Sequence, residues 1–258
     1  MKRFKRLKII CGILLVVFLG LYCYLQANYY PPILMYHYID EDIARGNTLA
    51  VSPDVFASQM AFLKRHNYKV VSLEELLGMI NRGGELERNL VVVTFDDGYK
   101  NNLSAAKILK EYNFAATIFM VIDWIGKPGY LTRADLNWIT SNSPVSFGSH
   151  TLNHRYLPEV PVQALSQEIA GSKLKAKQEY GLDLLTLAYP VGGFSLEVLE
   201  EARQAGYLGA CTTNRGFLRE LDIYALRRIK ITNRDLGIRL WAKLTGFYNV
   251  LRRLKPPY

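Results

Sequence analysis

The chain has 258 residues, half of them apolar, enough for one large domain with its own core or two small ones. Its net charge of +9 is gathered at the ends, in Lys2, Arg3, Lys5, Arg6 and Lys8 and in Arg239, Lys243, Arg252, Arg253 and Lys255, with no acid after Asp235. The body between is close to neutral, which argues against the basic stripe of a nucleic-acid groove and favours neutral substrates, and its single cysteine, Cys211, excludes a disulfide framework within it.

Residues 1–8 form a basic segment expected on the cytoplasmic side. Ile9 to Leu25 follow as 17 uncharged residues, about 25 Å of helix. That is slightly short for a membrane, but Tyr22, Tyr24, Tyr29 and Tyr30 can occupy the interface. Residues 9–26 are read as a single-pass signal-anchor, with the rest of the chain outside the cell. The alternative is a secreted protein whose signal is cleaved; "LQA" at Leu25 to Ala27 is a poor cleavage site, and Tyr22 is too large for a lipobox before Cys23.

After "NYYPP" strand-like and helix-like segments alternate. "ILMYHYI" predicts a strand. Ser52 and Pro53 open a helix through "SPDVFASQMAFLKRHN". "YKVVSL" predicts a strand and "EELLGMINR" a helix stopped by Gly83 and Gly84. The strand "NLVVVTF" leads to the helix "NLSAAKILKEY", and "AATIFMVI" to "TRADLNWITSN". A short strand "VSFGSH" precedes the long helix "QALSQEIAGSKLKAKQEY", which ends at Gly181. "LLTLAYP", "SLEVLEEARQAG", "YLGACTT" and "LRRIKI" complete the series. Apolar, non-alternating strands between helices imply a parallel sheet covered on both faces. The expected fold is α/β, a distorted (β/α) barrel of about seven strands forming one catalytic domain over residues 31–235; an open doubly wound sheet is the alternative. The tail, residues 236–258, is basic and amphipathic. It is expected either to pack on the domain as a terminal helix or to make a second contact with anionic lipid or wall polymer.

In a barrel, chemistry gathers where strands end. Three strand ends carry suitable side chains: Asp96 and Asp97 after "VVVTF", His150 after "VSFGS" with His154 four residues on, and His37 after "ILMY". His150 and His154, at i and i+4, are expected on one face of a helical turn, close enough to share a metal. Thr151 stands where a zincin would have its glutamate. Two histidines and one carboxylate make the three-ligand site of a catalytic zinc. Asp97 can be that carboxylate, which leaves Asp96 free to take a proton from water.

"TFDDG" at Thr94 to Gly98 and "SHTLNH" ending at His154 resemble the polysaccharide deacetylases, the NodB-type homology domain of carbohydrate esterase family 4, over residues 33–231. The resemblance implies a distorted (β/α) barrel and divalent-metal removal of acetyl groups from polysaccharides. It implies Asp96 as catalytic base, with Asp97, His150 and His154 as metal ligands. The family's R-x-P-[YF] motif stands here as "AYPVGG", with Ala188 in place of arginine. The backbone N–H of Val191 remains available as the oxyanion donor, and Arg228 in "LRRIKI" is the candidate to orient the base. The family's C-terminal leucine-x-histidine is missing, since no histidine follows His154. His37 is therefore the candidate general acid, and Asp40 or a nearby carbonyl a candidate to set its tautomer. "LMYHYI" resembles the branch that deacetylates poly-β-1,6-N-acetylglucosamine. The expected metal is one divalent ion, Zn2+ by default, with Co2+, Ni2+ or Fe2+ compatible. The expected partner is an N-acetylglucosamine polysaccharide, with peptidoglycan, chitin oligomers or an O-acetylated sugar as alternatives. A catalytically inactive sugar-binding or scaffold protein is the alternative from another class. A monomer is expected.

Overall fold

The computed structural model describes residues 2–27, 30–83, 86–214, 222–250 and 255–257. Gly84 of the expected helix stop, Tyr29 of the expected interfacial belt, and Leu251, Arg252 and Arg253 of the tail lie outside these. The first helix, α1 (Lys2–Ala27), contains the stretch Phe4–Tyr24, long and apolar enough to cross a membrane and with none of its residues buried.

The body runs in chain order through β1 (Ile33–Tyr36), β2 (Tyr38–Ile39), β3 (Ala50–Val51), α2 (Pro53–Arg65), β4 (Lys69–Val71), α3 (Leu73–Asn81), β5 (Leu90–Phe95) and α4 (Asn102–Tyr112). It continues through β6 (Ala116–Met120), α5 (Arg133–Asn142), β7 (Val145–Ser149), α6 (Val162–Tyr180), β8 (Thr186–Ala188), α7 (Leu196–Gln204), β9 (Gly209–Cys211) and β10 (Ile229–Lys230). The short helices α8 (Ile238–Leu244) and α9 (Phe247–Val250) follow.

The main sheet is parallel, in the order β10-β1-β5-β6-β7-β8-β9, with β4 paired to the first half of β5. It curls into a half-barrel. The segment from Ile223 to Arg228 runs beside β9, through Ala210 N–H to Ile223 O and Thr212 N–H to Leu226 O, and then feeds β10 beside β1. This connection carries Arg228 inward. All six residues of β5 are buried, as a central parallel strand covered on both faces requires.

Helix ends follow their cap chemistry. The Ser52 hydroxyl accepts from Val55 N–H with Pro53 at the first helical position, and Ser72 accepts from Glu75 N–H, which closes the "YKVVSL" strand two residues early. Thr132 and Asp135 form a reciprocal capping box. Gly181 ends α6 in the left-handed conformation.

Two local expectations are corrected. "ILMYHYI" is not one strand: β1 stops at Tyr36, and Tyr38 and Ile39 pair instead with Ala50 and Val51 in a separate two-stranded ladder, leaving His37 at the break. "HTLNH" is not a helical turn, because Thr151 (φ 68°) and His154 (φ 60°) are left-handed and interrupt any helix.

Candidate active site

The site lies at the C-terminal end of β5. Thr94 Oγ1 donates to Leu34 O at 2.8 Å, and Asp96 N–H donates to Tyr36 O at 3.0 Å, so the end of β5 is locked to β1. Asp96 is buried, and its carboxylate is gripped by the fully buried Arg228, with Nη1 to Oδ1 at 2.6 Å and Nη2 to Oδ2 at 2.7 Å. Arg228 is itself fixed by Nε donating to Thr212 O at 3.0 Å and Nη1 to Thr94 Oγ1 at 3.2 Å. Burial alone would raise the Asp96 carboxyl. The Arg228 guanidinium, with His150 and His37, outweighs it and holds the group below the usual carboxylate range. Such a two-point charge-assisted contact fixes orientation as well as charge.

Asp97 has φ 71°, and the next residue, Gly98, has φ 70°. A Cβ at Gly98 would stand 2.6 Å from Met120 Sδ, so glycine serves both the conformation and the space. Asp97 Oδ1 faces His150 Nε2 at 3.4 Å and His154 Nε2 at 3.3 Å. One ligand atom from each of the three residues lies within 4.8 Å of the others. Asp97 Oδ1 is buried without a hydrogen-bond partner. Burial pushes its carboxyl up, but the three histidines more than compensate and hold it far below the usual range. His150 Nδ1 lies 2.7 Å from Ala188 O, an acceptor, so this nitrogen carries the proton and Nε2 presents its lone pair toward Asp97. Burial also pulls the His150 pKa down, which keeps the ring neutral. An orphaned carboxylate oxygen facing two imidazole nitrogens is a donor set that fits a divalent cation.

Among the described residues six non-glycine positions have positive φ, and four of them, Asp97, Thr151, His154 and Val191, lie in these loops. At a cost of order 1–3 kcal/mol each, such conformations persist only where surroundings enforce them. Here Thr151 N–H donates to Ser149 Oγ, His154 N–H to Thr151 Oγ1 and Asn153 N–H to the buried Glu168 carboxylate. Folding therefore holds the two histidines in a geometry that no regular helix supplies.

His37 Nε2 stands 3.9 Å from Asp96 Oδ2, and burial lowers its pKa despite both aspartates. Its backbone is tied down by Asn102 Nδ2 donating to His37 O at 2.7 Å. Asp40 is engaged by Asn101 Nδ2 at 3.0 Å. The structure thus brings Asp96, Asp97, His37, His150, His154 and Arg228 together. Val191 joins them through its turn: Ala188 O receives His150, Thr212 Oγ1 donates to Gly192 O, and Thr212 O receives Arg228.

The sequence reading passed over an aromatic rim. Trp124 stacks on His154 with ring centroids 5.3 Å apart, Tyr130 lies 5.0 Å from Trp124, Tyr99 5.3 Å from Tyr130, and Tyr38 3.9 Å from Tyr99. The rim runs from a histidine of the donor set to the residue after His37. Backbone bonds from Lys100 N–H to Gly129 O and Leu131 N–H to Gly98 O brace it. A signal existed: Tyr38 and Tyr99 directly follow His37 and "DDG", and Trp124 follows the end of β6.

Fold and site together define a parallel α/β half-barrel with a charge-clamped carboxylate beside a three-ligand donor group. Comparison with known proteins gives the family. The polysaccharide deacetylase family model matches residues 83–210, which include Asp96, Asp97, His150, His154 and Val191 but neither His37 nor Arg228. YxkH of Bacillus subtilis (strain 168), itself provisionally assigned as a polysaccharide deacetylase, is 32% identical over 203 residues, spanning 78% of this chain and 71% of that protein. A poly-β-1,6-N-acetyl-D-glucosamine N-deacetylase of Staphylococcus epidermidis is 25% identical over 71% of this chain and 68% of its own length. Among solved structures, the Streptococcus pyogenes deacetylase PplD, in complex with acetate, superposes with TM-score 0.76 at 26% identity over 83% of this chain and 97% of that one. The chain belongs to the polysaccharide deacetylase family, hydrolases that act on amide bonds.

Proposed function

We propose that this chain is a metal-dependent deacetylase that removes N-acetyl groups from an extracellular N-acetylglucosamine polymer, with poly-β-1,6-N-acetylglucosamine as substrate. The observation that carries the reading is the pair of adjacent carboxylates in unlike surroundings: Asp97 aimed with His150 and His154 at one point, Asp96 clamped by Arg228 beside it. The relatives that deacetylate this polymer, and the "MYH" stretch at His37, support the substrate.

Asp97, His150 and His154 would hold the ion. When bound, a divalent metal there supplies a Lewis acid for the acetyl carbonyl and a more acidic water. Asp96, kept ionised and oriented by Arg228, accepts the proton of the attacking water. The N–H of Val191 serves as the oxyanion donor in this reading; the left-handed turn after Pro190 supports this assignment. His37 rests neutral, so the proton it gives the departing glucosamine nitrogen is one it gains during turnover. Asp96, whose Oδ2 stands 3.9 Å from His37 Nε2, is the source in this reading. The half-buried rim from Trp124 to Tyr38 offers flat apolar faces of the kind on which pyranose C–H groups pack.

The division of the chain follows from this reading. Residues 1–8 stay in the cytoplasm, 9–26 anchor the protein, 31–235 form the catalytic domain outside the cell, and the basic tail begins at 236. Cleavage near Asn28 would make the protein secreted instead; N-terminal sequencing of membrane-extracted protein separates the two. The activity test is acetate release from β-1,6- and β-1,4-linked N-acetylglucosamine oligomers, with and without chelator. Chelator-sensitive release from the β-1,6 series is expected. Preference for β-1,4 oligomers would move the substrate to chitin or peptidoglycan, and no release from any oligomer would leave a sugar-binding protein.

A further inference from the structure

The tail contacts the apolar N-terminal helix at a depth that has a consequence. Phe247 of α9 stacks on Phe18 of α1 with centroids 5.4 Å apart and meets Tyr22 at 6.4 Å. Phe18 and Tyr22 precede Leu25, the end of the apolar run, by seven and three residues. At ~1.5 Å per residue, Phe247 therefore lies beside the part of α1 between about 4 and 10 Å inside its outer end. Helices that lie in a membrane interface bury their apolar faces to ~5–10 Å, the same depth.

The rest of the tail is built to match. On α8, Leu240 and Leu244 are buried against the domain. Lys243 is buried too, donating to Asp235 Oδ2 and to Lys230 O, each at 2.7 Å. Lys243 is thus turned inward, paired with Asp235, after which the sequence carries no further acid. The outward side of α8 carries Ile238, 73% exposed, and one turn later the half-buried Trp241, which packs partly on the core and stacks on Phe247 at 5.3 Å. Leu236 is also exposed, and Arg234 and Arg239 flank the patch at the surface. An apolar strip thus continues from α1 through Phe247 and Trp241 to Ile238, bordered by cations with no free acid within the segment.

We propose that residues 236–248 form a membrane-contact surface, immersed beside α1 in the outer leaflet, whose partner is a bilayer bearing anionic headgroups. The proposal rests on the reading of α1 as a membrane-spanning anchor. It would hold the catalytic body at a fixed height and orientation over the membrane, where α1 alone, joined through a short connection, would leave it free to tumble.

The test uses the full-length chain with W124F and W138F, which leave Trp241 as the one tryptophan, in phosphatidylcholine vesicles with and without phosphatidylglycerol. Nitroxide lipids labelled at acyl carbon 5 should quench Trp241 at least twofold more than those labelled at carbon 12. Acrylamide should quench it at least threefold less than in the detergent-free body lacking contact with lipid, represented by the I238D/R239E variant in the same vesicles. Quenching should strengthen with phosphatidylglycerol; equal quenching in both lipid mixtures would overturn the anionic preference. Trp241 open to acrylamide and untouched by either nitroxide, in protein that floats with the vesicles and resists carbonate extraction, would overturn the surface and leave the anchor standing. Protein that does not float would overturn both.

Discussion

Asp96 and Asp97 are neighbours in the chain, yet they stand in two electrostatically different regions. Asp96 belongs to a closed ion-pair pocket: both oxygens are taken by Arg228, and Arg228 is fully buried. Asp97 belongs to an open donor group, with one buried oxygen left without a hydrogen bond and two imidazole nitrogens facing it. The left-handed turn at Asp97 and Gly98 makes this separation by sending consecutive carboxylates to different partners. Two like charges can then persist side by side, one compensated by a built-in cation and the other set in a donor group that fits a divalent cation.

The comparison breaks most sharply if the two carboxylates are exchanged for neutral groups. Asp97→Asn should abolish both metal binding and activity, at least about 10³-fold in kcat/KM, because the donor group loses its charge. Asp96→Asn should cost about 10²–10⁴-fold while metal content, measured by elemental analysis, stays that of the parent protein. Equal metal loss in both variants would mean the two regions are one. His37→Ala comes next, with an expected loss of about 10²-fold in kcat and unchanged metal content. Metal loss there would place His37 in the donor group.

Arg228 tests the closed pocket through stability. Arg228→Met leaves Asp96 buried and uncompensated, with an expected cost of about 3–5 kcal/mol. For a body of this size that is a fall of roughly 10 °C in the thermal midpoint. Calorimetry should show Arg228→Lys recovering part of it, because a lysine keeps the charge but not the two-point contact. An unchanged midpoint for both variants would show the pair to be structurally idle.

The open region was more legible in the sequence than the closed one, for a physical reason. Asp97, His150 and His154 sit at ends of strands whose apolar runs announce themselves, and the spacing of the histidines is local. Their backbone was misjudged because i, i+4 spacing suggests a helix, and nothing local reveals that Thr151 and His154 are left-handed. Arg228 reads as an ordinary strand residue in "LRRIKI". Its burial depends on the segment after Ile223 running beside β9 and crossing to β1, a long-range closure that no window of sequence contains. The aromatic rim fails for the same reason, since Tyr38, Tyr99 and Tyr130 meet only after three strand-end loops converge. Helix α4 was read to the residue, Asn102–Tyr112, because its signals are all local.

A third carboxylate, far simpler, calibrates the other two. Asp135 accepts from Lys100 Nζ at 2.5 Å and from Thr132 N–H and Oγ1 at 2.7 and 2.6 Å, in the capping box of α5. Burial pushes its carboxyl up, but the Lys100 and Thr132 hydrogen bonds outweigh it and leave the pKa depressed. A depressed folded-state pKa gives stability that is present above the unfolded value, about 3.9, and lost as pH falls through the folded one. Because the lysine is half exposed, the contribution should be small: Asp135→Asn is expected to cost about 1 kcal/mol at pH 7 by urea denaturation. The difference from the parent should shrink toward zero as pH drops below the folded pKa of Asp135. A difference that stayed constant from pH 7 to pH 2 would mean the cap acts through shape alone. The hydrogen-bond account of a held carboxylate, applied at larger scale to Asp96 and Arg228, would then need rebuilding.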